Sequence, residues 1–101
     1  MTEEPHKPVS LGAFLRAKRE EVGMSQSEAA TALGYNSRDF LSRIENDRVP
    51  VPLNKISEIA ILYKIDLSHL SEFIIEEQSR LLRIKIEEAV NASTADKTKL
   101  G

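Results

Sequence analysis

Apolar residues recur along most of this chain at spacings of three and four, the period of a helix with one buried face. Leu11, Phe14, Leu15 and Val22 form the first such stripe; Ser10 can cap it and Gly23 can end it, which predicts a helix to about Val22. Ala29, Ala30 and Leu33 form a second, narrower stripe. It opens on a capping box, Ser25 with Glu28 three residues on, and closes at Gly34, a residue that takes the left-handed conformation at no steric cost. Tyr35 and Asn36 leave little room before Ser37, which can cap a third helix burying Phe40, Leu41 and Ile44. Pro50 and Pro52 then hold the backbone extended, and Pro52 suits the first turn of a fourth helix with Leu53, Ile56, Ile59, Ala60 and Tyr63 on its inner face. Tyr63 is expected in the core.

Asp66 can cap the last helix, and neither glycine nor proline interrupts the chain from Leu53 to Leu100. Its first part sets Leu67, Leu70, Phe73 and Ile74 on one stripe that closes the core. Further on, Leu81, Leu82, Ile84, Ile86, Ala89 and Val90 spread around most of the circumference, more than a small head can cover. Two conformations fit this stretch. A helix from Leu67 to Val90 would run about 36 Å, whereas Leu82, Ile84 and Ile86 alternating with Arg83 and Lys85 would suit a strand. Either one makes a pairing surface. Four segments are therefore expected: a flexible lead-in over 1–9, a helical domain over 10–74, a dimerisation segment over 75–90 and a small, polar, disordered tail over 91–101.

The third helix carries the chemistry. Opposite Phe40, Leu41 and Ile44 stand Asp39, Ser42 and Asn46, with Arg38 and Arg43 on the flanks. Two short helices joined by a tight turn, the second with an exposed row of Arg, Ser and Asn, fit a helix-turn-helix that reads the major groove. Taken alone, the same residues also fit an ordinary solvated face.

Composition narrows the field. The 101 residues suit one domain with an appendage, and the absence of cysteine removes disulfides and cysteine-ligated metal. The polar start MTEEPHKPVS has no signal core and no apolar run is long enough to span a membrane, so a cytoplasmic protein is expected. His6 and His69 belong to no zinc spacing, and neither a nucleophile motif nor a glycine-rich phosphate loop is present; no enzyme and no cofactor are expected. A net charge of −2 argues against nucleic acid in general, but Glu72, Glu76, Glu77, Glu87 and Glu88 lie in the C-terminal third while Arg38, Arg43 and Arg48 cluster at the third helix.

With these pieces in order, the stretch from Leu11 to Leu70 resembles the Cro and phage-repressor, or XRE, family. The likeness lies in the first helix ending in Arg19 and Gly23, the SQSEAA opening with Gln26, the SRIEN run with Glu45, the proline after it, and IAILYKI. It implies an all-α, five-helix repressor-like helix-turn-helix domain, here with an extended C-terminal dimerisation helix. It implies an architectural Arg19–Glu45 pair, and Glu45 lies beside the apolar face, where an inward carboxylate needs a partner. It also implies that Gln26 meets a phosphate or a base at the site edge and that Ser37, Arg38, Asp39 and Arg43 meet bases. By geometry Ser42 and Asn46 are neighbouring polar or phosphate contacts, and Arg48 is a phosphate anchor.

Two departures stand out. The turn from Gly34 to Leu41 is one residue longer than the commonest form, which leaves two registers for the base contacts, and Asp47 stands where the family has glycine. The expected function is a sequence-specific transcriptional regulator, a homodimer on double-stranded DNA with an inverted-repeat operator. The alternative is an antitoxin or protein-interaction adaptor whose apolar tail binds a different protein.

Overall fold

The computed structural model describes residues 9–100, with side chains up to Ser93. The expectations for residues 1–8 and Gly101 lie outside that range. Among the described residues five α-helices follow one another, α1 Leu11–Glu21, α2 Gln26–Ala32, α3 Asp39–Glu45, α4 Ile56–Tyr63 and α5 Leu67–Leu100, with a 3-10 turn at Leu53–Lys55 before α4. Three helix starts are made as the sequence suggests, whereas Arg38 and not Ser37 caps α3, and Pro52 precedes the 3-10 turn and is not in the first turn of α4. Ser10 Oγ accepts from the Ala13 N–H, Ser25 and Glu28 complete their capping box, and Asp66 Oδ2 accepts from the His69 N–H. Gly23 and Gly34 both sit at positive φ, where an L side chain is strained.

One core joins the head: Leu15, Ala29, Leu33, Leu41, Ile44, Ile59, Tyr63, Leu70 and Ile74 are all buried, with Phe14, Phe40 and Phe73 packed at its edge. Two residues expected to help close it do not. Leu53 is 72% exposed and Leu67 46% exposed. Leu53 falls in the 3-10 turn, whose tighter winding takes it out of phase with α4, and Leu67 is the first residue of α5, beyond the reach of the core.

The last helix resolves the choice between helix and strand. Residues 81–90 are helical, and α5 continues past Val90 to Leu100, through a stretch expected to be disordered. With no helix breaker in the whole run, each added residue gains one backbone bond on an already nucleated helix. At 1.5 Å per residue α5 is about 51 Å long. The chain measures 59 Å along its longest axis and has a radius of gyration of 17.8 Å, against about 13 Å for a compact domain of this size. The helix therefore projects from the head.

Candidate nucleic-acid interface

The recognition-type helix α3 is held from behind by three contacts. The first is a bidentate ion pair: Arg19 Nε donates to Glu45 Oε2 at 2.7 Å and Arg19 Nη2 to Glu45 Oε1 at 3.0 Å, with both residues buried. Arg19 Nη1 also donates to the Met24 carbonyl at 2.8 Å, so the guanidinium bridges α1, the α1–α2 turn and α3. The hydrogen bonds to Glu45 raise the Arg19 pKa above its ordinary value, and burial opposes them. Tyr63 is packed nearby, its phenol pushed up to about 12, chiefly by burial and further by the Glu45 charge.

The second contact is a close approach of backbones. A Cβ at Gly12 would lie 2.5 Å from the Glu45 carbonyl oxygen and 2.6 Å from that of Ile44, so the start of α1 abuts the end of α3 only because position 12 has no side chain. The third is made by Asp47, which adopts the left-handed conformation with φ 60°. Its Oδ1 accepts from the Gly12 N–H at 2.9 Å, one of the donors an α-helix leaves unpaired at its start. A glycine there would take the same φ more easily but could not make that bond. Lys55 secures the neighbouring element: its Nζ donates to Leu33 O at the end of α2 at 2.7 Å and lies 5.5 Å from the Tyr35 ring centroid.

Held this way, α3 turns its other side outward. Asp39, Ser42, Arg43, Asn46 and Arg48 line one open hollow of about 400 Å³. Among the described residues, none of Arg38, Asp39, Arg43 and Arg48 is in an ion pair, so their charges are available to a ligand. Asn46 is exposed, and its Nδ2 donates to the Ser42 carbonyl at 2.9 Å. Ser37, Arg38 and Gln26 lie outside the hollow. Ser37 is exposed one residue before the helix cap, Arg38, and its Oγ accepts from the Asp39 N–H at 3.3 Å, so it braces the turn from a position earlier than the cap expected for it. Gln26 is half-buried at the start of α2 and donates from Nε2 to Glu45 Oε1 at 2.9 Å, which ties it to the ion pair.

The charge asymmetry is local. Residues 10–73 carry eight Lys and Arg against nine Asp and Glu, so the head as a whole is not basic. Its arginines are concentrated at α3, and one of its carboxylates, Glu45, is neutralised inside. Among the described residues no group of three His, Asp or Glu could hold a metal ion, and no helix is long and apolar enough to cross a membrane.

The Arg19, Gly12 and Asp47 contacts fix α3 against α1, and α3, joined to α2 by a tight turn, keeps its polar face bare, the arrangement of a DNA-binding helix-turn-helix protein. The chain belongs to the helix-turn-helix domain family, whose model matches residues 10–73. It is 47% identical over 60 residues to the ImmF control region 10 kDa protein of Bacillus phage phi105, an alignment that covers 59% of this chain and 66% of that protein. No solved structure matches the chain at a significant level.

Proposed function

We propose that the protein is a sequence-specific transcriptional regulator that binds an inverted-repeat operator as a homodimer, with α3 of each protomer in the major groove. The observation that carries this reading is the α3 face itself, where unpaired Arg43 and Asp39 share a hollow with Ser42, Asn46 and Arg48. Arginine's planar fork matches the two acceptors on the guanine edge, and a carboxylate can accept from cytosine. Arg38 and Ser37 extend the same surface at the start of the helix, and Arg48 is placed for a phosphate. Gln26, tethered by its amide to Glu45, stands preorganised at the entry of α2 for a contact at the site edge. The control-region name of the phage phi105 relative supports a regulatory role.

Two-fold symmetry then sets half-site centres roughly 10 base pairs apart, the spacing of successive major grooves on one side of the duplex. The apolar residues exposed on α5, Ile75 to Val90, support pairing of two chains there. They equally suit a different protein, and that adaptor reading gains if the purified chain is monomeric and binds no DNA.

Selection of bound sites from random DNA, followed by anisotropy titrations, tests the assignment. Arg43→Ala should cost about 1 to 3 kcal/mol on the selected site and relax preference at one position per half-site. Arg48→Ala should weaken every DNA alike and lower the salt dependence. Equal losses for Arg43→Ala on selected and scrambled DNA would show that Arg43 does not read a base.

A further inference from the structure

Beyond the head, the apolar side chains of α5 do not form one surface. Leu81 and Ile84 continue the stripe by which Leu70 and Ile74 enter the core. A second stripe, Ile75, Ser79, Leu82, Ile86, Ala89 and Ser93, runs at alternating spacings of four and three, and at 100° per residue it lies roughly 140° away from the first. That is the heptad spacing of a coiled-coil seam, and it faces away from the head. Its large members are open: Ile75 is 63% exposed, Leu82 58% and Ile86 52%.

We propose that this second stripe pairs with the same stripe of another copy of the chain, with the two α5 helices antiparallel and crossing between Arg80 and Leu81. The inference rests on the homodimer reading and specifies its geometry. Two observations select the occupant and the direction. Antiparallel pairing at this register sets Ile75 against Ile86 of the second copy and Ser79 against Leu82, so each layer between Ile75 and Ile86 matches large with large or large with small and none is a polar pair. It also sets Glu76 beside Arg83 of the second copy, twice by symmetry, and among the described residues neither side chain has an ion-pair partner within its own chain. Pairing in parallel would place Glu76 near its own counterpart's end of the helix and never beside Arg83.

The pairing also sets a length. Leu70, which anchors α5 in the core, lies about 16 Å along the helix from the crossing point, so the two Leu70 anchors are offset by about 32 Å along the paired helices. The heads lie on the outer sides of the pair, because each enters through the opposite stripe, and they do not collide. The seam is short, running only from Ile75 to Ile86, which suits a dimer that tightens on its operator.

Charge reversal in the full chain tests this by sedimentation. Glu76→Arg and Arg83→Glu should each raise the dimer dissociation constant at least about tenfold, because like charges then meet twice across the seam. An equimolar mixture of the two variants, and the Glu76→Arg/Arg83→Glu double variant, should regain the original constant. The chain has no cysteine, so a mixture of Ser79→Cys and Leu82→Cys chains should form the mixed disulfide in preference to either homodimer. If both reversals weaken the dimer and neither mixture nor double variant recovers it, or if Ser79→Cys alone cross-links best, the antiparallel register is refuted while the homodimer stands. Reversals that leave the dimer unchanged refute the register equally. A native chain that stays monomeric at high micromolar concentration would instead remove the homodimer reading on which this depends.

Discussion

Replacing Glu45 with alanine should be among the most damaging single changes in the head. The carboxylate receives two hydrogen bonds from Arg19 and one from Gln26, at 2.7, 3.0 and 2.9 Å, and its removal leaves the buried guanidinium with only the Met24 carbonyl. Breaking one side of a buried pair costs about 3 to 5 kcal/mol, most of it the penalty of an uncompensated charge. A chain of this size is stable by about 5 to 15 kcal/mol in total. The lower figure already corresponds to a fall in Tm on the order of 12 to 24 °C. Urea unfolding followed by circular dichroism measures the change directly. The double replacement Arg19→Met/Glu45→Leu removes both charges and keeps the volume, so it should recover most of the loss, and with the Arg19→Met and Glu45→Leu single variants the cycle gives the coupling between the two residues. A loss under about 1 kcal/mol for Glu45→Ala would place the pair in the class of exposed ion pairs and refute the claim that it holds α3.

Two further outcomes follow from the same region. Gly12→Ala should cost about 3 kcal/mol in urea unfolding and lower DNA affinity, because a methyl 2.5 Å from a backbone carbonyl pushes α1 and α3 apart; a neutral result would mean that the two helices can separate freely. Tyr63 titrates near 10 in an unfolded chain and about 12 in the fold, so its neutral form adds stability that is complete below pH 10 and is lost as the pH rises toward 12. Tyr63→Phe should remove that alkaline loss at the cost of less than about 1 kcal/mol near neutral pH, since the hydroxyl has no partner among the described residues. An alkaline midpoint that does not move in this variant would assign the transition to another group.

Much of the head is legible in the sequence because its signals are local. The capping box at Ser25 and Glu28, the closing glycines and the apolar stripe of each helix lie within a few residues of what they determine. Glu45 reads as an inward carboxylate from its angle on the helix, and the family resemblance supplies Arg19 as its partner. The contacts that sequence reasoning misses join distant parts of the chain. Nothing near Gly12 marks it as the point where α1 touches the end of α3, and nothing near Asp47 shows a carboxylate reaching back 35 residues to a helix start. Nothing near Lys55 shows that its amine reaches the end of α2. Gln26 reads as a DNA contact alone, because its bond to Glu45 exists only once α2 and α3 are packed. For α5 the period is ambiguous over a few residues, and helix prevails because the alternating run is embedded in a long stretch without a breaker.

The way α3 is seated separates two jobs that short helices often have to share. Its pose is set by inward groups, Phe40, Leu41, Ile44 and Glu45, by the backbone contact with Gly12 and by the Asp47 bond to the Gly12 N–H. The side chains at the outward positions Asp39, Ser42, Arg43 and Asn46 bond to nothing outside their own helix. The domain thus behaves as a socket with an exchangeable face: residues at those four positions can differ with little effect on how the holder packs, so on the proposal that this face reads a duplex, the target can change by substitution there while the core stays as it is.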